Sequence, residues 1–319
     1  MKKLPIALAF TVLLAACGKQ GTDAPAASAP ATAPQAKTAP LDQPATPTAP
    51  ASAADALGAK LDTVLAGSWR SDKNKARDPY RHPKETLAFF GVRPTDTLIE
   101  ITPGGGWYAE VLAPLMKGSG TYIAAIAKPK KPEGEAARDQ SGLEKMFAGD
   151  PAEYGEAKIV EFDGQAPSFG APDSADVVLT FRNVHNWAEG GTAPAMFKAF
   201  FDVLKPGGVL GVVDHRAADG ADFEKVKDTG YLPTDYVVKL ATDAGFRLAA
   251  KSEINANPKD TKDYTKGVWT LPPTLTLGDT DREKYLAIGE SDRMTLKFVK
   301  PGKDEIFHQG NDSDDKPAQ

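Results

Sequence analysis

The strongest constraint on this chain is the alternation, over 57–300, of short apolar runs with stretches of helical spacing. Thr97–Ile101 (TLIEI), Thr121–Ala125, Lys158–Phe162, Asp176–Phe181 (DVVLTF) and Val209–Val213 read as strands. Leu57–Ala66, Trp107–Met116, Glu133–Phe147 and Pro194–Leu204 read as helices, and Pro83 opens another that Gly91 ends. Thr234–Ala244 is a further helix with Thr234 as its cap, and Phe246–Glu253 and Met294–Val299 are two final strands. Strands apolar throughout and separated by helices predict a parallel sheet covered on both faces. Ligands of such sheets bind beyond the carboxyl ends of the strands. That directs attention to residues 102–108, 126–128, 163–165, 182–187 and 214–217.

Composition narrows the function. Lys and Arg number 38 against 43 Asp and Glu, a net charge of −5, so no nucleic-acid partner is expected. The single cysteine, Cys17, allows neither an internal disulfide nor a cysteine zinc site. The four histidines, His82, His185, His215 and His308, show no metal-ligand spacing, and no metal is expected.

Residues 1–17 have the layout of an export signal: Lys2 and Lys3, an apolar run from Leu4 to Leu14, then Leu14-Ala15-Ala16-Cys17. The apolar run is too short for an ordinary membrane span. Its end resembles a bacterial lipobox, which implies cleavage before Cys17 and lipidation of its sulfur. Gly18 follows, where an Asp commonly retains such proteins in the inner membrane. The resemblance therefore implies a lipid-anchored protein of the cell envelope, on the periplasmic side, at the outer membrane. Residues 18–56 are rich in Ala, Pro and Thr, have little to bury, and read as a tether. The tail 301–319 is polar and acidic.

The first strand runs into Glu100-Ile101-Thr102-Pro103-Gly104-Gly105-Gly106. Three glycines let the backbone turn sharply and let a ligand approach the main chain, with the next helix start directed at it. A side chain at Gly104 or Gly106 is expected to take the ligand's space. Glu100 sits in a buried strand, where a carboxylate is costly unless paired, so it is expected to serve a cationic or donor-rich ligand. Gly104-x-Gly106-x-x-Ala109 also fits a dinucleotide-binding turn, but Thr121–Lys128 lacks the acid that reading requires, which counts against a nicotinamide oxidoreductase.

Taken together, Glu100–Gly106, Val160-Glu161-Phe162-Asp163, Asp176–Trp187 and Leu204–Leu210 resemble, in order and spacing, the motifs of class I S-adenosylmethionine (SAM) methyltransferases. The whole of 57–300 looks like the methyltransferase domains of bacterial envelopes. The resemblance implies an α/β, Rossmann-like seven-stranded sheet, mostly parallel with an antiparallel last strand and helices on both faces. It implies SAM as cofactor, held by Glu100, Gly104, Gly105, Gly106, Asp163 and Asn183, and a small or lipid-like methyl acceptor. Family members carry a ribose-binding acid at the end of the second strand. Ala124 and Ala125 stand there, with Glu133 and Glu135 as the loop residues able to substitute.

Methyl transfer to oxygen or nitrogen benefits from a general base. His185, just past the fourth strand, is the first candidate, and His215 with Asp214, at the end of the fifth, is the second. Absence of an Asn-Pro-Pro-Tyr or Asp-Pro-Pro-Tyr run disfavours an amino-methylating DNA enzyme. Trp107 and Tyr108 are read as pocket walls or core, and His82 falls in a segment that covers the pocket in family members. Residues 254–292 are long for a connection between two strands and are expected to cap the acceptor pocket. A non-catalytic ligand-binding module on the same fold remains the alternative. Replacement Cys17→Ser is expected to release the protein from membranes or block its processing. Wild-type protein fractionating as soluble, unmodified material would overturn the anchor.

Overall fold

The computed structural model describes residues 53–302, apart from 130 and 132. Cys17, the export signal, the tether up to residue 52, His308 and the tail from residue 303 lie outside the described residues. The seven strands are β1 (Thr97–Ile101), β2 (Thr121–Ala127), β3 (Lys158–Phe162), β4 (Ala175–Phe181), β5 (Leu204–His215), β6 (Arg247–Ser252) and β7 (Arg293–Val299). They form one sheet in the order β3-β2-β1-β4-β5-β7-β6. β1 pairs in parallel with β2 and β4, and the parallel pairing continues to β3 and β5; β7 alone runs antiparallel to its neighbours β5 and β6. This is the Rossmann-like, seven-stranded α/β sheet expected from the sequence.

Helices cover both faces: α1 (Ala53–Ala66), α2 (Pro83–Phe90), α3 (Ala109–Met116), α4 (Glu135–Gly149), α5 (Val184–Glu189), α6 (Ala193–Val203), α7 (Thr234–Asp243) and α8 (Arg282–Ile288). The strand period of two divides the core. In β1, Leu98 joins the cluster under α1, α2 and α3, whereas Ile99 and Ile101 join the cluster under α6 and α7. Gly211 in β5 permits a close approach. A β-carbon there would lie 2.6 Å from Leu179 and 2.9 Å from the Phe90 ring, so α2 lies flat on the strand only over a glycine.

Four local expectations change. α1 begins at Ala53, ahead of the expected domain start at residue 57. α3 begins at Ala109, not Trp107, because 104–108 are used by the turn. Thr234 is the first residue of α7, with Pro233 in the capping position. The Lys205–Gly208 turn is absorbed into β5 as a bulge: Leu204 lies opposite Ala175, and Val209 opposite Val177.

The order of the strands places the site. From β1 the sheet grows through β2 to β3, and the chain then returns to lay β4 on the other side of β1. Connections on either side of this switch point leave in opposite directions, which opens a crevice between the ends of β1 and β4. The segment 254–292 is fastened nearby. Asn255 Nδ2 donates to Thr86 Oγ1 (3.1 Å) and Thr295 Oγ1 (3.0 Å), and Asp260 accepts from the Asp292 backbone N–H (2.8 Å) and the Tyr231 hydroxyl.

Candidate active site

A cavity of about 670 Å³ opens at the carboxyl ends of the parallel strands, a size typical of small-molecule sites. Three groups of residues line it. After β1 come Thr102, Pro103, Gly104 and Gly105, facing Ile126 and Ala127 of β2 and Asp139 of α4. After β4 and β5 come Arg182, Asn183, His185 and His215. The 254–292 segment closes the far side with Trp269, Pro272, Pro273, Glu290 and Ser291. The expected cap is therefore part of the cavity wall.

Both strand ends that flank the crevice are strained. Thr102 (φ 51°) after β1 and Arg182 (φ 63°) after β4 adopt left-handed backbone conformations that cost a non-glycine residue on the order of 1–3 kcal/mol. The hydroxyl of Thr102 is buried without a hydrogen-bond partner in a residue that lines the cavity. Asn183 ties the two ends together. Its Nδ2 donates to the Ile101 carbonyl (3.0 Å), the Thr102 carbonyl (3.3 Å) and Thr180 Oγ1 (3.2 Å).

The glycine turn divides its roles by residue. Gly104 (φ 57°) and Gly105 line the cavity, and a β-carbon on Gly105 would meet nothing within 4 Å. Gly106 (φ 81°) is different: its β-carbon would lie 3.0 Å from both Leu143 and Met146 of α4. The expectation that a Gly106 side chain would take ligand space is corrected, because that position faces a helix. Gly106 fits α4 to the turn.

Glu100 is also corrected. It is buried on the α3 side of the sheet and does not line the cavity. Its Oε2 accepts from the Tyr122 hydroxyl at 2.6 Å, so its partner is the next strand and not a ligand. Burial raises its pKa to about 7, opposed by the Tyr122 hydrogen bond and the charge of Arg81. Asp163 is exposed, accepts from the Gln165 backbone N–H (2.9 Å) and lies outside the cavity lining. Glu133 is exposed and does not line the cavity, and the side chain of Glu135 is outside the described residues. The acid that does line it is Asp139, whose Oδ2 lies 4.0 Å from where a Gly104 β-carbon would sit. Trp107 and Tyr108 are core: Trp107 Nε1 donates to the Asn74 carbonyl (2.8 Å), and Tyr108 stacks on Phe181 at 3.6 Å.

The two histidines come together around Asp214. This carboxylate is completely buried and accepts the backbone N–H of Val184 (2.7 Å) on Oδ2 and that of His215 (2.7 Å) on Oδ1. His185 Nδ1 lies 2.9 Å from Asp214 Oδ1. A carboxylate only accepts, so Nδ1 carries a hydrogen directed at Asp214 and Nε2 is the ring nitrogen left for other partners. Asp214 itself does not line the cavity; it orients His185. The His215 ring lies 5.1 Å from that of His185, with Nδ1 2.6 Å from Ser291 Oγ. Burial, then the charges of His185, Arg182, Arg293 and Arg81, hold His215 well below its ordinary pKa, so it is neutral at physiological pH. His82 lines a separate cavity of about 190 Å³ and takes no part in this cluster.

His185, Asp214 and His215 each offer a ligand atom within 4.8 Å of the others. The setting opposes a cation: both Asp214 oxygens already receive N–H donors, and the surrounding guanidiniums repel positive charge. Reading the sequence alone misses Arg182, Glu290, Ser291 and Asp139. Asp139 comes from α4, Glu290 and Ser291 from the residues just before β7, and Arg182 from the Asp176–Trp187 run, in which the sequence reading gave it no role.

No family model and no curated protein sequence matches the chain. Solved structures it is similar to include a SAM dependent methyltransferase from Aquifex aeolicus, at 14% identity over 76% of this chain and 98% of that one, with a TM-score of 0.46. Another, from Mesorhizobium loti, gives 12%, 68% and 96%, with a TM-score of 0.41. An arsenic(III) SAM methyltransferase from Chlamydomonas reinhardtii gives 14%, 65% and 64%, with a TM-score of 0.41. For this chain, the strand order and the cavity are the observations that bear on function.

Glu100 yields a test of pH dependence. The folded chain holds its proton more tightly than the unfolded chain, so its contribution is complete below about pH 4.5 and lost as pH rises through 7. Glu100→Gln should match wild type in urea midpoint near pH 4.5 and exceed it by about 3 kcal/mol at pH 9. Parallel stability curves for the two proteins would show that ionisation of Glu100 costs nothing.

Proposed function

We propose that the protein is a SAM-dependent methyltransferase acting on a small or lipid-like acceptor. The observation that carries this reading is the one cavity at the switch point of the sheet lined by the Gly104–Gly105 turn, Asp139 and His185, the last oriented from behind by Asp214. The residues present suit the cofactor. Gly105 leaves open space beside the main chain, and Ile126 and Ala127 give an apolar wall. Asp139 offers a carboxylate for hydroxyl groups, supplied from α4 in place of the acid missing from the end of β2. Asn183 and the unpartnered Thr102 hydroxyl complete the polar side.

Bound SAM supplies a methyl group already activated on a sulfonium, so the protein's part is to position the acceptor and exclude water. His185 Nε2 takes the proton of a hydroxyl or amine acceptor, and Asp214 keeps its lone pair directed. Neutral His215 and Ser291 offer hydrogen bonds on the same side. Trp269 and the Pro272-Pro273 pair shield that region from solvent. Lipidation of Cys17 would hold the domain at the envelope membrane, where a lipid-like acceptor is at hand.

Two glycine variants separate binding from folding. Gly105→Val is expected to keep wild-type stability and lose at least ~10-fold in affinity for SAM, read by calorimetry, since a side chain there enters open space. Gly106→Val should instead lower the melting temperature through its clash with Leu143 and Met146. Unchanged SAM affinity in folded Gly105→Val would sink the cofactor assignment.

His185→Ala tests the base. With SAM binding intact, kcat at neutral pH is expected to fall ~10²- to 10⁴-fold, and the deficit to shrink as pH rises and the acceptor loses its proton unaided. Full turnover in this variant would remove His185 from the chemistry.

A further inference from the structure

Behind one wall of the cavity, arginines cluster around the carboxylate of Glu290. Glu290 accepts from Arg77 Nε (2.7 Å), Arg81 Nε (3.3 Å) and Arg293 Nη1 (3.2 Å). All three arginines retain a buried nitrogen without a partner: Arg77 Nη2, Arg81 Nη2 and Arg293 Nε. A fourth guanidinium, that of Arg182, faces the same carboxylate electrostatically and feels the buried Asp214 as well, so four cations act on Glu290. Burial alone would raise Glu290, yet the four arginines hold it down to about 2.

Arg182 stands apart from the other three. Its backbone N–H donates to the Val213 carbonyl (2.7 Å), but its guanidinium, which lines the main cavity, makes no hydrogen bond or ion pair with any described residue. Its backbone is left-handed at φ 63°, and burial brings its pKa down to about 10. Strain, desolvation and repulsion from Arg293 and Arg77 oppose an arginine at this position; Glu290 and Asp214 offset part of this through space, but neither forms an ion pair with it. Such a guanidinium gains a partner only when an anion enters the cavity. The strand order indicates which molecule brings it. The glycine turn and Asp139 lie toward β2, whereas Arg182, His215 and Glu290 lie toward β5 and β7, on the side of the proposed base.

We propose that Arg182 is the receptor for an anionic group, a carboxylate or a phosphate, on the methyl acceptor. The proposal rests on the methyl-transfer reading of the cavity and names the acceptor's chemistry: a small or lipid-like molecule that bears a negative group beside the atom to be methylated.

The experiment compares the full chain with Arg182→Met, using Arg247→Met on exposed β6 as a charge control. Methionine at 182 bears the same backbone strain as arginine, so the comparison isolates the guanidinium. Inorganic phosphate, titrated at constant ionic strength against chloride, is the anion probe. S-adenosylhomocysteine and 5′-methylthioadenosine, which lacks the amino-acid end, are the cofactor probes. Phosphate should raise the melting temperature of wild type and Arg247→Met saturably. Arg182→Met should bind it about 10- to 100-fold more weakly, melt at the wild-type temperature or above, and keep its affinity for both nucleosides. Equal phosphate binding by wild type and Arg182→Met would overturn the proposal, as would a clear loss of stability in Arg182→Met, which would make the arginine structural. Loss of S-adenosylhomocysteine affinity with 5′-methylthioadenosine affinity intact would assign the anion to the cofactor's own carboxylate and also overturn it. Failure of wild type to bind either nucleoside would count against the methyl-transfer reading, while the phosphate arm would still report on Arg182 by itself.

Discussion

The buried carboxylate of Asp214 organises the open end of the sheet. An unpaired carboxylate at zero exposure would cost several kcal/mol. Here it receives the backbone N–H groups of Val184 and His215 and the Nδ1 of His185. Those donors come from α5, from the end of β5 and from the histidine proposed as the base. One interaction therefore sets where α5 starts after β4, holds it against β5 and orients the His185 ring toward the cavity. Loss of the carboxylate would leave two buried N–H groups without partners and the imidazole free to turn.

The opposite side of the crevice is held by polar contacts of the same kind. Asn183 bridges the last carbonyls of β1 and the end of β4, and this fixes the width of the gap at the switch point. The flanking residues Thr102 and Arg182 are held in left-handed backbone conformations. Strain there is borne by the packed strands behind it, which bury Ile99, Ile101, Val178 and Leu179 completely or nearly so. A rigid parallel sheet thus supports an edge at which polar and charged groups are arranged for a ligand and not for stability.

The electrostatics divide the cavity. Toward β2 the lining is main chain, apolar side chains and one carboxylate. Toward β5 and β7 the guanidiniums outnumber Glu290; burial first, and their charges second, keep His215 neutral, and the same charges oppose cations. This half of the cavity is therefore electrostatically favourable to negative charge. The 254–292 segment closes over this half with Trp269 and is anchored to the body of the domain by Asp260, which accepts from Tyr231, and Asp292, which accepts from Arg216.

The sheet was legible in the sequence because strand and helix periodicities are local. TLIEI and DVVLTF announce buried parallel strands, and the Pro83 and Gly91 boundaries follow from backbone conformation alone. The sequence likewise placed Gly104, Gly105, Asn183, His185 and His215 at the strand ends, where the cavity lies. It did not show which way each side chain points across the pleat. Glu100 falls on the α3 side and meets Tyr122, and Gly106 faces α4, because both depend on what packs against them. Nor did it reveal Asp139, Arg182, Glu290 and Ser291, which converge from α4, the end of β4 and the approach to β7. Their proximity is produced by the strand order β3-β2-β1-β4-β5-β7-β6 and by the folding back of 254–292, both of which are long-range consequences of burying two faces of one sheet. Local residue chemistry determined the strands and the turn; tertiary packing decided which charges share the cavity.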